Sequence, residues 1–315
     1  MTPRTGINEL AAGRKPHSRA WDAVTSLPFV TRAALTAMVT GNFVLLAITI
    51  AGFFVSDVGY DWAIYIEAAR RVLEGGDLYR WSGSYAWSYS PILAWFFAAV
   101  APIGFLGWSA LHIAALGFIR PRWVAAVVFL SWPFWVDLYN GNTMTFVAIA
   151  GLSALERRTT GIGAYLLMCL LMPRPVMLPL MIWILWREPA WRARFAVLAL
   201  ASASLALATG QGLAWIGALA GVADAVAESS RDFGPGILFG PWWTAAGALL
   251  SVVFMLRGRI GLASLAASPY WLPQYLLMLV LELVRSGPRG RPSGQDQVSD
   301  VVEIQPGVAQ HRGNR

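Results

Sequence analysis

The chain has 315 residues, 57% of them hydrophobic and only 13% charged, with a formal net charge of +7. A soluble domain carries roughly 25% charged residues, so this composition excludes an ordinary water-soluble globule and points to an integral membrane protein. The charge is almost all Arg, gathered at the termini and in short loops, which favours orientation by the positive-inside rule over nucleic-acid binding.

Backbone in hydrocarbon must satisfy its own hydrogen bonds, and the apolar runs are longer than barrel strands and do not alternate, so the expected fold class is all-α and polytopic. One cysteine, Cys169, excludes an intrachain disulfide framework. His17, His112 and His311 lie far apart in sequence, so the residues imply no metal; no nucleotide loop is present and no cofactor is implied. His112 reads as a packed or interfacial residue.

Residues 1–32 are polar and read as a cytoplasmic N-terminal arm, with no cleavage signal before the first span. Residues 33–55 are uncharged and long enough to cross roughly 30 Å of hydrocarbon. The stretch 56–89 then gathers Asp57, Asp61, Glu67, Asp77, Arg70, Arg71 and Arg80 on the extracytoplasmic side. Within it Trp62, Tyr65, Ile66, Ala69, Val72 and Leu73 recur at helical spacing opposite Glu67, Arg70, Arg71 and Glu74, which predicts an amphipathic helix lying along the membrane. Asp61 sits at its expected N-cap, and Gly75-Gly76 at its expected end.

A second span is expected over 91–106, with 107–119 ambiguous around Pro102, Gly104 and Gly107. Further short crossings follow over 123–136, 143–155, 161–172, 176–186, 195–209 and 242–256, with a second large outer loop over 210–240 holding Asp232. Residues 260–284 read as two short pieces bent at Ser268-Pro269, and 285–315 as a disordered cytoplasmic tail. The count is about ten crossings, several of them shorter than the usual span. The transmembrane domain covers 33–284, and the Asp61 loop, Asn142, Arg174, Asp232 and Pro269 all fall on one side of the membrane.

Several of these residues together resemble a family. Asp61-Trp-Ala-Ile-Tyr65, Ala68-Ala69, Gly75-Gly76, Leu78-Tyr79 and Tyr89-Ser-Pro91 resemble the N-terminal region of polyprenol-phosphate-mannose-dependent glycosyltransferases, the bacterial mannosyltransferase-like family 87 of the membrane GT-C superfamily. Gly141-Asn142, Pro173-Arg174-Pro175 and Ser268-Pro269 resemble that family's later Gly-Gln, Lys-Pro and Ser-Pro elements, with Asn for Gln and Arg for Lys. The resemblance runs in order over roughly residues 57–275. It implies a GT-C-like fold and an inverting transfer of a sugar, mannose in the family, from a polyprenyl-phosphate donor to a glycan or glycolipid acceptor on the extracytoplasmic side of the cell membrane. It implies Asp61 as the catalytic general base, Arg174 as the ligand of the donor phosphate, and Tyr65, Tyr79, Tyr89, Asn142 and Asp232 as substrate-binding residues. The partners implied are the lipid-linked donor, the acceptor and membrane lipids, with no nucleic acid.

The residues themselves leave alternatives open. Asp61 is a base or a helix cap, with Asp57 next in line as base. Arg174, inside a nearly continuous apolar stretch, meets an anionic lipid phosphate or snorkels to the headgroups. Asn140 and Asn142 serve a turn around Gly141 or a substrate. Arg70 and Arg71 read as headgroup contacts. A transporter or flippase of an anionic or lipid-linked substrate is the rival class, because Pro-broken helices also occur there. A membrane scaffold without activity is a third.

The positive-inside pattern predicts that a reporter fused after Gly83 reads extracytoplasmic and one fused after Arg157 reads cytoplasmic. The opposite pair of readings would overturn this orientation.

Overall fold

A computed structural model describes residues 29–80, 87–227 and 234–285. These residues are all-helical, without a strand among them. The N-terminal arm up to residue 28, Asp232 and the tail beyond residue 285 lie outside the described residues.

The first helix, α1 (Phe29–Val55), begins earlier than the charge pattern predicts and carries large apolar side chains outward; Phe54 and Val55 are more than four-fifths exposed. Three helical runs are long and apolar enough to cross a membrane: Thr36–Val55, Pro91–Phe118 and Ala190–Ala208. Exposure of such long apolar faces fits a lipid environment, since water-soluble monomers rarely carry them. The remaining apolar helices are shorter, at 10–17 residues.

Helix α2 (Tyr60–Leu73) is the expected amphipathic helix. Its apolar face, with Trp62, Tyr65, Ala68, Ala69 and Val72, is buried against protein rather than laid on lipid. It packs on α3 (Pro91–Val100), where Tyr65 stacks on Phe97 with ring centroids 4.3 Å apart. On the outer face Arg70 pairs with Glu67 and Glu74, and Arg71 with Glu67 at 2.8 Å, so both guanidinium groups are engaged along their own helix.

The ambiguous stretch after α3 resolves as a continuation with a sharp break. A single turn (Ala101–Ile103) leads to α4 (Gly104–Ala115). Gly104 sits at φ 67°, ψ 176°, a conformation essentially confined to glycine. The break brings Trp108 of α4 to 5.4 Å from Phe97 of α3, and Trp62 of α2 stacks on Trp108 at 5.6 Å.

The expected crossing over 123–136 is instead two pieces, α5 (Arg122–Phe129) and α6 (Trp132–Asn140), because Ser131 is extended and Pro133 opens the second. Next come α7 (Met144–Leu155), α8 (Thr159–Leu171), α9 (Leu178–Arg187) and α10 (Ala190–Ala208). The expected outer loop over 210–240 is largely helical: α11 (Gly212–Ala227) and the short α12 (Pro235–Phe239) occupy it. Its many Ala residues, the best helix formers, explain the difference. Helices α13 (Pro241–Leu256) and α14 (Ile260–Ala267) pack as a pair. The chain bends at Ser268-Pro269 as expected, then forms a tight helical stretch (Pro273–Leu279) and α15 (Val280–Arg285).

Two glycines bring distant parts together. Gly59 precedes α2 at φ 80°, donates its N–H to Tyr139 O at 2.8 Å, and lies against the Phe105 ring. Gly141 ends α6 at φ 70°. Asn142 N donates to Asp137 O at 2.9 Å and Gly141 N to Leu138 O at 3.1 Å, a Schellman ending that satisfies the last carbonyls of α6. A Cβ on Gly141 would lie 2.8 Å from the Trp62 Cβ, so the turn can touch α2 only as glycine.

Gly141→Ala should therefore destabilise the protein by more than the ~1–2 kcal/mol that a left-handed backbone costs an L-residue. Thermal unfolding of the detergent-solubilised variant measures this; an unchanged midpoint would mean that α2 does not rest on the 141 turn.

Candidate functional site

Asp61 is not the N-cap of α2. Gly59 takes that position, and Asp61 is the second residue of the helix, in its first turn. Its carboxylate is turned to the α6–α7 corner, where Asn142 Nδ2 donates to Asp61 Oδ2 at 2.6 Å. Asn142 is buried and uses its other end too: Oδ1 accepts from Thr143 N at 2.6 Å and from Arg174 Nη1 at 3.2 Å. Only one orientation of the amide serves an acid at one end and a cation and an N–H at the other. Asn142 is thus both a turn residue and a bridge.

Arg174 lies between Pro173 and Pro175, where α8 has ended and the backbone is extended. It does not snorkel outward: only 3% of it is exposed. Nη2 donates to the Tyr89 hydroxyl at 2.6 Å, and the guanidinium carbon sits 5.1 Å from the Tyr89 ring centre and 5.9 Å from that of Tyr275. Among the described residues no carboxylate pairs with it within 4.0 Å; Asn142 stands between it and Asp61. Ionised groups are rarely buried without a counter-charge, and among the described residues the groups against this one are neutral.

Tyr89 is held where Arg174 meets it. The Tyr79 hydroxyl donates to Tyr89 O at 2.7 Å, and Ser90 N donates to Leu171 O at 2.8 Å, tying the Tyr89-Ser90-Pro91 corner to the end of α8. Tyr79 thus supports Tyr89. Tyr65 reaches the site from α2. Its hydroxyl is wholly buried and completes no hydrogen bond among the described residues, with Tyr89, Asp61, Arg174 and Thr143 facing it. Burial first, then the neighbouring Tyr89 and Asp61, push its ionisation well above the ordinary range for tyrosine, so it stays a neutral hydroxyl.

The structure thus brings together Asp61, Tyr65, Tyr89, Asn142 and Arg174, with Tyr79 behind them. Asp57 is exposed, and it is its backbone oxygen that is used, accepting from the Tyr139 hydroxyl at 3.1 Å. Sequence reasoning missed Tyr275, which lines Arg174 from the stretch after the Ser268-Pro269 bend. It read His112 only as a packed or interfacial residue and gave no role to Asp137; both lie fully buried beside the Asn142 turn. Asp137 Oδ2 accepts from Thr145 N at 2.8 Å and Oδ1 from Met144 N at 3.2 Å, so Asp137 caps α7. The one signal for it was an acid between two apolar runs, five residues before Asn142.

Compared with known proteins, the chain matches no family model, no curated protein and no solved structure.

Asn142→Leu keeps the side-chain bulk but strips both the donor to Asp61 and the acceptor for Arg174. Hydrogen bonds to charged groups contribute about 1.5–3 kcal/mol each, so the variant should unfold at a clearly lower temperature in detergent. A parent-like midpoint would mean that the bridge contributes nothing to the fold.

Proposed function

We propose that the protein is an inverting glycosyltransferase of the GT-C type, embedded in the cell membrane with about ten crossings, which moves a sugar from a polyprenyl-phosphate donor to a glycan or glycolipid acceptor on the extracytoplasmic side. The observation that carries the reading is the buried Arg174 guanidinium, with no carboxylate against it among the described residues, one amide away from the Asp61 carboxylate. Such a transfer needs a cation where charge develops on the leaving phosphate and a base where the acceptor hydroxyl enters. The Tyr65 hydroxyl, which completes no hydrogen bond among the described residues and faces Thr143, adds a donor for a polar ligand beside both groups. The resemblance of the Asp61–Pro91 block to polyprenol-phosphate-mannose-dependent enzymes supports mannose as the sugar.

In this mechanism the acceptor oxygen attacks the anomeric carbon and gives its proton to Asp61. The bond from that carbon to the phosphate oxygen breaks, and its electron pair leaves with the polyprenyl phosphate. Arg174 meets the charge on that phosphate. Asn142 holds one oxygen of Asp61 and one nitrogen of Arg174, so base and phosphate ligand keep a fixed spacing. Inversion follows from a single displacement with the base opposite the leaving group.

The test is incubation of membranes containing the protein with labelled polyprenyl-phosphate-mannose. Asp61→Asn should lower transfer by about 10²–10⁴-fold, the usual contribution of a general base, while leaving protein yield and donor binding in place. Arg174→Ala should weaken donor use strongly, and Arg174→Lys should retain part of it. Parent-like transfer by Asp61→Asn removes Asp61 as the base. Movement of labelled donor across the bilayer without product would favour the transporter reading instead.

A further inference from the structure

Asn142 is held at its side chain by the groups it bridges, at its backbone N–H by Asp137 O, and at its backbone carbonyl by one group more. His112 Nε2 lies 2.7 Å from Asn142 O, and His112 Nδ1 lies 2.9 Å from Trp108 O. Both carbonyls only accept, so each ring nitrogen must carry a hydrogen to bond there. The charge of such a ring has its partner at hand: Asp137 Oδ2 is 3.6 Å from Nε2, and both side chains are fully buried. The rings of Trp108 and Phe146 enclose the imidazole, with centroids 5.2 and 4.5 Å away. The α6 ending and the α7 cap already order this corner without His112. His112 bonds the carbonyl end of the Asn142–Thr143 peptide, whose N–H end is held by Asn142 Oδ1.

We infer that His112, charge-balanced by Asp137, is a positioning residue for the transfer site: it fixes the Asn142 backbone so that the side-chain amide spans Asp61 and Arg174. The inference rests on the glycosyltransferase reading for its consequence in rate, but not for its geometry. Hydrogen on Nε2 is the donor, Asn142 O the acceptor, and no proton is exchanged with substrate.

Two measurements test it. In 15N NMR of histidine-labelled protein, with the His112 signals assigned by their loss in His112→Gln, Nε2 should carry hydrogen and Asn142→Ala should leave it there. A bare Nε2 overturns the inference whether or not the protein transfers sugar. In the transfer assay, His112→Phe should lower kcat about ten- to a hundredfold, the scale expected of a small misplacement of reacting groups, with donor KM little changed. His112→Gln keeps a donor at the same reach and should restore kcat to within about threefold of the parent, by the same argument. In an Asn142→Ala background, His112→Phe should add no further loss, because residues that act through one another are not additive. Equal losses in both backgrounds, or His112→Gln as slow as His112→Phe, overturn the inference. If His112→Phe does not accumulate in membranes, His112→Gln decides alone: a tenfold or greater loss of kcat overturns it. Absence of transfer by the parent protein would sink the glycosyltransferase reading while the NMR result still decides the geometry.

Discussion

A buried guanidinium with no carboxylate against it among the described residues is the constraint around which they are arranged. Removing Arg174 from water is costly, and the described residues against it offer neutral compensation: the Asn142 oxygen, the Tyr89 hydroxyl and the faces of two tyrosine rings. Each of these is itself anchored. Tyr89 is fixed by Tyr79 and by the Ser90–Leu171 bond, Asn142 by the ending of α6, and Tyr275 by the bend after α14. A flexible lysine could approach one of these acceptors. The planar fork of arginine reaches two at once, in fixed directions.

Bringing Asp61 to this cation is a problem of backbone approach, and glycine solves it twice. Gly59 and Gly141 both occupy the left-handed region, and a Cβ would crowd the Phe105 ring at Gly59 and meet the Trp62 Cβ at 2.8 Å at Gly141. Their contacts with Phe105 and Trp62 set the start of α2 against the corner between α6 and α7. Helix position thereby becomes side-chain geometry: Asp61 and Asn142, 81 residues apart in sequence, meet at 2.6 Å.

Much of the local structure was legible in the sequence because local rules dominate it. The apolar run of α1, the periodicity of α2 and the stops at Gly75, Pro173 and Pro269 each follow from a few neighbouring residues. Legibility failed where a choice depends on what lies across space. The apolar face of α2 has the same pattern whether it meets lipid or, as here, Phe97 and Trp108. The stretch over 210–240 looked like a loop because its acids break the apolar run, yet its alanines make a helix. Asp61 looked like a cap because the true cap, Gly59, has no side chain to announce itself. Pairing of Tyr275 with Arg174 across about a hundred residues leaves no periodic trace, unlike the i, i+4 patterns that mark a helix face.

The two departures from the pattern that the chain resembles are related by geometry. Asn in place of Gln shortens the amide arm by one methylene, which draws the amide toward its own backbone, where its oxygen also takes the Thr143 N–H. The bridge to the cation must then be closed from the other side. Arg in place of Lys does this with a longer, forked head group, and the fork leaves one nitrogen for Asn142 and another for Tyr89. In this chain an acid, an amide and a cation stand in one hydrogen-bonded row, the arrangement that the proposed transfer would use.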